Sequence, residues 1–178
     1  MGTVDIMLDL ETLGTAPGSV VLAIGAVASV PPEQDPYFNE KISITSSLYC
    51  GLTVDPETLA WWRKQSKAAW QESVENGRDI RESLEAFSSW IERQRSGNHI
   101  RLWGDASTFD LVLLACAYRA AGVAVPWSYR EEYCYRTLRN LLNSKKPASK
   151  LAHSAVSDAA AQMEHLQVML LLLPKTEG

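Results

Sequence analysis

The chain has 178 residues, 46% of them apolar and 21% charged, which excludes disordered, collagen-like and coiled-coil classes. Residues 1–178 suffice for one domain with a sizeable core and are too few for two. Seventeen Lys and Arg against 21 Asp and Glu leave a formal charge of −4, so any contact with nucleic acid must be a local site.

Val4–Leu10 predicts a strand with Ile6, Leu8 and Leu10 on one face and Asp5, Met7, Asp9 and Glu11 on the other. The early acids and the lack of a basic leader exclude a signal peptide, and Ile6 breaks the myristoylation pattern. The apolar run Val168–Leu173 is too short for a bilayer. A cytoplasmic protein without membrane contact is expected, with Cys50, Cys116 and Cys134 as thiols rather than disulfides or metal ligands.

After a turn at Gly14–Gly18, Ser19–Val30 is apolar enough for a central strand and ends at Pro31 and Pro32. Phe38–Ile44 alternates as a third, antiparallel strand. Asp55 as N-cap and Pro56 at the first helical position start a helix running to Gln65. Asp79–Arg95 predicts a second, whose inward stripe is Ile80, Leu84, Phe87, Ser88 and Ile91. A short strand at His99–Gly104 leads to an apolar helix at Ser107–Ala121, closed by Gly122. Tyr135–Leu142 and Val156–Leu173 are the closing helices, the last stopped by Pro174. A three-stranded antiparallel meander, further strands and flanking helices make a mixed-sheet α/β architecture, in an order that resembles a ribonuclease H-like domain.

Asp9 and Glu11 are two apart on a strand and therefore share a face. Like charges so close repel unless a cation or a shared proton relieves them. Asp110 opens an otherwise apolar helix. His153 precedes Asp158 by five residues, and five helical steps would set them roughly 140° apart, so His153 belongs to the loop before the final helix. Four carboxylates and a loop imidazole suit two-metal phosphodiester hydrolysis. There, ions roughly 3.5–4 Å apart activate water and stabilise the leaving oxygen, and His accepts a proton near neutral pH. Oxygen ligands favour two Mg²⁺, with Mn²⁺ substituting, over zinc.

DLETLG at Asp9–Gly14, STFD at Ser107–Asp110 and HSAVSD at His153–Asp158 resemble, in order and spacing, the three motifs of the DEDDh 3′–5′ exonucleases. PETLAWWRKQS and CYRTL are similar more narrowly to the phage and prophage exonuclease VIII type and to small bacterial relatives of ribonuclease T. The resemblance implies that Asp9 bridges both metals, that Glu11 and Asp158 hold the metal activating water, that Asp110 binds the second, and that His153 is the general base. It also implies that Thr12 meets the terminal 3′ hydroxyl and Leu13 packs on the base. Single-stranded RNA or DNA 3′ ends, overhangs included, would be cut to nucleoside 5′-monophosphates, and relatives of ribonuclease T imply a homodimer. One position departs: Ala106 stands where many relatives carry Asn, with Asp105 one residue earlier, so the family does not supply what orients Asp110.

Trp61 and Trp62 point about 100° apart on a helix. One ring is therefore expected at the surface, and Trp62 is the candidate to stack a base, an interaction of about 1–3 kcal/mol. Trp90 and Trp103 are expected in the core, and His99 and His165 in surface or packing roles. Between Arg130 and Lys150 lie six bases (Arg130, Arg136, Arg139, Lys145, Lys146, Lys150) and two acids, a cluster suited to incoming phosphates. Two other readings are an inactive nucleic-acid-binding module on the same fold and a haloacid dehalogenase-type phosphatase. The latter places Asp where this chain has Glu11, and would form an aspartyl-phosphate.

Overall fold

The alternation of the first strand fits it to be covered on both faces, and the computed structural model, which describes residues 2–149, 151 and 153–174, builds its sheet around it. Strand β1 (Thr3–Thr12) pairs antiparallel with β2 (Val21–Ala28), which pairs antiparallel with β3 (Tyr37–Lys41). On its other edge β1 runs parallel to β4 (His99–Gly104), and β4 to β5 (Glu132–Cys134), giving the order β3-β2-β1-β4-β5. The helices are α1 (Ile44–Tyr49), α2 (Pro56–Trp62), α3 (Lys67–Val74), α4 (Ile80–Arg95), α5 (Asp110–Ala121), α6 (Tyr135–Leu141) and α7 (Ala155–Leu171).

Ile6, Leu8 and Leu10 enter the larger core cluster with Leu84, Phe87, Trp90 and Ile91 of α4 and Leu111, Leu114 and Tyr118 of α5. The other face holds Met7, Val27 and Trp103 against Tyr135 and Ala159, Met163, Leu166 and Met169 of α7. A strand period of two met by a helix period near 3.6 thus divides the core in two. On the α7 face Asp5 is buried, its charge met by a bidentate Arg101 (2.7 Å to each oxygen) and by Trp103 Nε1 at 2.7 Å. Trp90 and Trp103 are core residues as expected.

The meander, the Asp55 cap with α2, and helices α4, α5, α6 and α7 lie where the pattern puts them, with ends shifted by a few residues. The cap accepts from Glu57 N at 2.9 Å. Three elements differ. Strand β3 stops at Lys41 because Ser43 caps α1, whose Ser46 hydroxyl then accepts from Ile80 N at 3.0 Å. Helix α3 starts at a second serine cap, Ser66, and β5 is a three-residue edge held by pairing with β4. Helices α1 and α3 and strand β5 are too short for periodicity to register. No helix among the described residues is long and apolar enough to cross a membrane.

Helix α7 meets the sheet at Gly25, the cross-strand partner of Asp9. A Cβ at position 25 would overlap the backbone of Ala155 and Val156. Only a residue without a side chain lets the first turn of α7 descend there. Gly25→Ala is therefore expected to cost about 1–3 kcal/mol as overpacking, read as a lower urea midpoint. An unchanged midpoint would show that α7 has room to spare.

Candidate active site

Helix α7, seated on Gly25, brings Asp158 to the end of β1. There one oxygen each of Asp9, Glu11 and Asp158 lies within 4.8 Å of the others. One turn further along α7, Gln162 Nε2 donates to Asp9 Oδ1 at 2.9 Å. The other end of that amide, Oε1, is buried without a partner among the described residues.

Asp110, 3% exposed at the start of α5, faces the same group. A Cβ at Gly104 would stand 3.1 Å from both its Cβ and its Oδ2, so β4 ends on a glycine where this acid needs the space. Its Oδ2 accepts from Ala106 N at 3.2 Å. The backbone amide of the departing position thus provides the orienting contact.

Burial first, then mutual repulsion, raises these acids. Glu11 is pushed up to about 8 by desolvation and by Asp158 and Asp110, with Lys146 opposing. Asp110 reaches about 7, chiefly through burial, with Asp105 adding and Ala106 N and Lys146 opposing. Asp9 is raised well above the carboxylate range by burial and by Asp110, Glu11 and Asp158, while Gln162 works against the shift. Lys146 Nζ is held 3.1 Å from Asp105 Oδ2, and Arg136 Nη2 3.2 Å from the same oxygen. Burial pushes Asp105 up, yet these two cations hold it below its ordinary value.

His153 lies in the loop before α7, as its spacing from Asp158 requires, with a left-handed φ of 61° that few non-glycine residues adopt. Its ring meets Trp61 edge-on (centroids 5.0 Å, 88°) and Trp62 at 6.0 Å and 69°. Trp62 Nε1 donates to Thr12 O at 2.9 Å, tying this aromatic group to the end of β1. The expectation of an accessible Trp62 is corrected: Trp62 is 2% exposed, and Trp61, at 43%, is the surface ring. Packing decides this; the tandem pattern could say only that the two rings diverge.

A groove of about 460 Å³ runs from Glu11 and Thr12 past Leu10, Phe109, Trp61 and Trp62. Thr12 lines it, its hydroxyl donating to Gly14 O at 2.8 Å. Leu13 is a second correction: it is buried in the larger core cluster, and Leu10 and Phe109 form the apolar wall instead. In the basic run, Lys146 and Arg136 close on Asp105, Arg139 lies 5.7 Å over Tyr135, and Lys150 lies outside the described residues. His165 bonds Tyr135 OH and Ser144 Oγ, each at 2.7 Å, the packing role expected of it. Gly25, Gln162 and the Asp105–Lys146 pair escaped sequence reasoning, since none carries a motif. Phe109, beside Asp110 in STFD, was within reach of it.

The family model described as 3′-5′ exoribonuclease Rv2179c-like domain matches residues 4–170. Among solved structures, the chain is similar to cell-death related nuclease 4 (CRN-4), with TM-score 0.61 and 14% identity over 95% of this chain and 64% of that one. It thus spans just under two thirds of that relative. It is also similar to the nuclease domain of 3′hExo, a DEDDh family member, bound to rAMP, with TM-score 0.58 and 10% identity over 95% of this chain and 92% of that one. No curated protein matches the sequence. At these identities the structural likeness is one of fold, and it shows the ribonuclease H-like mixed sheet expected of the sequence.

Because these acids bind protons in the folded state that the unfolded chain has released, their contribution to stability is complete below the ordinary carboxylate range. It is lost as pH rises through about 7 and about 8. The ion-free protein should therefore lose urea stability between pH 5 and 8. Added Mn²⁺ should raise the melting temperature more at pH 8 than at pH 5.5. A gain equal at both pH values would show that the carboxylates are not the ligands.

Proposed function

The chain belongs to the family of the 3′-5′ exoribonuclease Rv2179c-like domain, and on that premise we propose that it removes nucleoside 5′-monophosphates from the 3′ ends of single strands and overhangs. The family description favours RNA as the substrate. The observation that carries the reading is the convergence of Asp9, Glu11 and Asp158, with Asp110 raising the charge cost at the first two.

Such a group fits hard divalent cations. Its ligands are all carboxylate oxygens, Glu11 and Asp110 are buried, and burial together with neighbouring negative charge raises Asp9, Glu11 and Asp110 above the ordinary carboxylate range. Asp9, Glu11, Asp110 and Asp158 would hold two Mg²⁺, or Mn²⁺ in their place. Ions bound there would supply an activated water and compensation for charge on the leaving oxygen.

The chain's own residues do the rest. Gln162 fixes one oxygen of Asp9 and leaves the other free to face an ion. Ala106 N orients Asp110. His153, steadied edge-on by Trp61 and Trp62, takes the proton of the attacking water. The groove beside Thr12 receives the terminal nucleoside, with Trp61 as the exposed ring for its base. Lys146, which already offsets charge on Glu11 and Asp110, offers a cation to the phosphate at the cleaved bond. The homodimer implied by ribonuclease T relatives belongs to the same proposal, and sedimentation reads it.

Matched 3′-tailed RNA and DNA, offered with Mn²⁺ to the wild type and to Asp158→Asn, test the reading. The wild type should shorten the tail from its 3′ end, faster on RNA, and stop under chelation. The variant should lose about 10²–10³ in rate, the usual size for removing one group that stabilises charge in the transition state. Strand binding without shortening would reduce the protein to an inactive module, and a trapped phosphoenzyme would make it a phosphatase.

A further inference from the structure

Trp62 also lines a second cavity, of about 410 Å³, between α2 and α3, together with Leu59, Arg63, Gln65, Lys67 and Trp70. Its wall is aromatic: Trp62 and Trp70 stand 5.7 Å apart at 62°, and Trp70 is only partly buried. Its rim is cationic. Arg63 and Lys67 are exposed and make no ion pair among the described residues, and the sequence from Thr58 to Gln71 contains no acid. The terminal-nucleoside groove and this cavity thus share one indole, itself bonded to Thr12 O beside the acids.

We propose that this cavity is a binding subsite for an upstream nucleotide of the same single strand. One base enters against Trp70, and Arg63 and Lys67 take the phosphates on either side. The proposal rests on the exonuclease reading for the strand's identity. Aromatic faces interleaved with unpaired bases are the usual means of gripping a single strand without reading its sequence. The surroundings make such a grip necessary. A strand entering a cluster of four carboxylates in a protein of net charge −4 meets repulsion that must be offset along its path. Lys146 offsets it at the acids, and Asp105 ties that lysine down. Arg63 and Lys67 are free to offset it further upstream.

The test uses the Asp158→Asn protein with Mn²⁺, so that strands stay whole, and reads anisotropy of 5′-labelled single-stranded RNA of two and of six nucleotides. The added pair Arg63→Gln and Lys67→Gln should weaken the hexanucleotide and make its log affinity shallower against log salt by roughly 1.4, about 0.7 for each phosphate contact. Trp70→Ala should weaken the hexanucleotide by about 5- to 150-fold, the value of one stacked base. Both effects should be smaller on the dinucleotide, which is too short to reach the cavity. The charge variants sit on exposed side chains, so they decide the matter even if Trp70→Ala fails to fold. Equal losses at both lengths, an unchanged hexanucleotide, or no binding by the parent would overturn the subsite. If the wild type shortens no strand while the hexanucleotide effects hold, the exonuclease reading falls and the subsite stands.

Discussion

Everything at the candidate site depends on how closely the first turn of α7 approaches β2. Asp9 and Gly25 are partners across the sheet, so the missing side chain at position 25 creates a hollow beside the acid at position 9. Into that hollow sink the backbones of Ala155 and Val156. The helix then presents Asp158 and, four residues on, Gln162 from one face, the first toward Glu11 and the second onto Asp9. A side chain at position 25 would lift the helix start and pull both away together. Met163, Leu166 and Met169, packed against Met7 and Val27, hold the remainder of α7 on the sheet, so its seating at the site is paid for by apolar contact further along.

The same strand carries a compensated carboxylate and an uncompensated pair on one face. Asp5 is buried, but Arg101 and Trp103 satisfy it, and it fastens β1 to β4 through its own cross-strand partner. Four and six residues on, Asp9 and Glu11 form no ion pair among the described residues, Lys146 acting on Glu11 only from a distance, and burial and repulsion raise both. The contrast separates a structural acid from acids kept in tension. Burying a charge without a counter-charge costs stability in any fold, and an arrangement that concentrates the cost at one strand end is suited to bind cations there.

Much of this was legible from residue spacing. The two-residue interval between Asp9 and Glu11 placed them on one face, and the five-residue interval between His153 and Asp158 put the imidazole in the preceding loop, where it lies. The Asp55-Pro56 start and the meander followed from capping chemistry and alternation. What was not legible depends on tertiary packing. Nothing in the tandem Trp61-Trp62 tells which indole bonds Thr12 O and which faces water. The branched Leu13 reads as groove or core equally well until β2 is placed beside it. The short α1 and α3 owe their existence to serine caps that resemble any loop serine in a sequence.

The departure at Ala106 shows why a missing side chain need not mean a missing function. In the turn between β4 and α5, Asp110 N donates to Ala106 O at 3.1 Å while Ala106 N donates back to Asp110 Oδ2 at 3.2 Å. A backbone bond and a side-chain bond thus run in opposite directions between the two residues. Phe109 N bonds the same carbonyl at 2.8 Å, so the donor is set by the turn's own closure, whatever residue stands at 106. Freed from orienting Asp110 by a side chain, the turn has its neighbour Asp105 for another use: its carbonyl accepts from Arg136 N at 2.9 Å, and its carboxylate draws Arg136 and Lys146 together. The same turn thereby holds Lys146, which offsets charge on both Glu11 and Asp110.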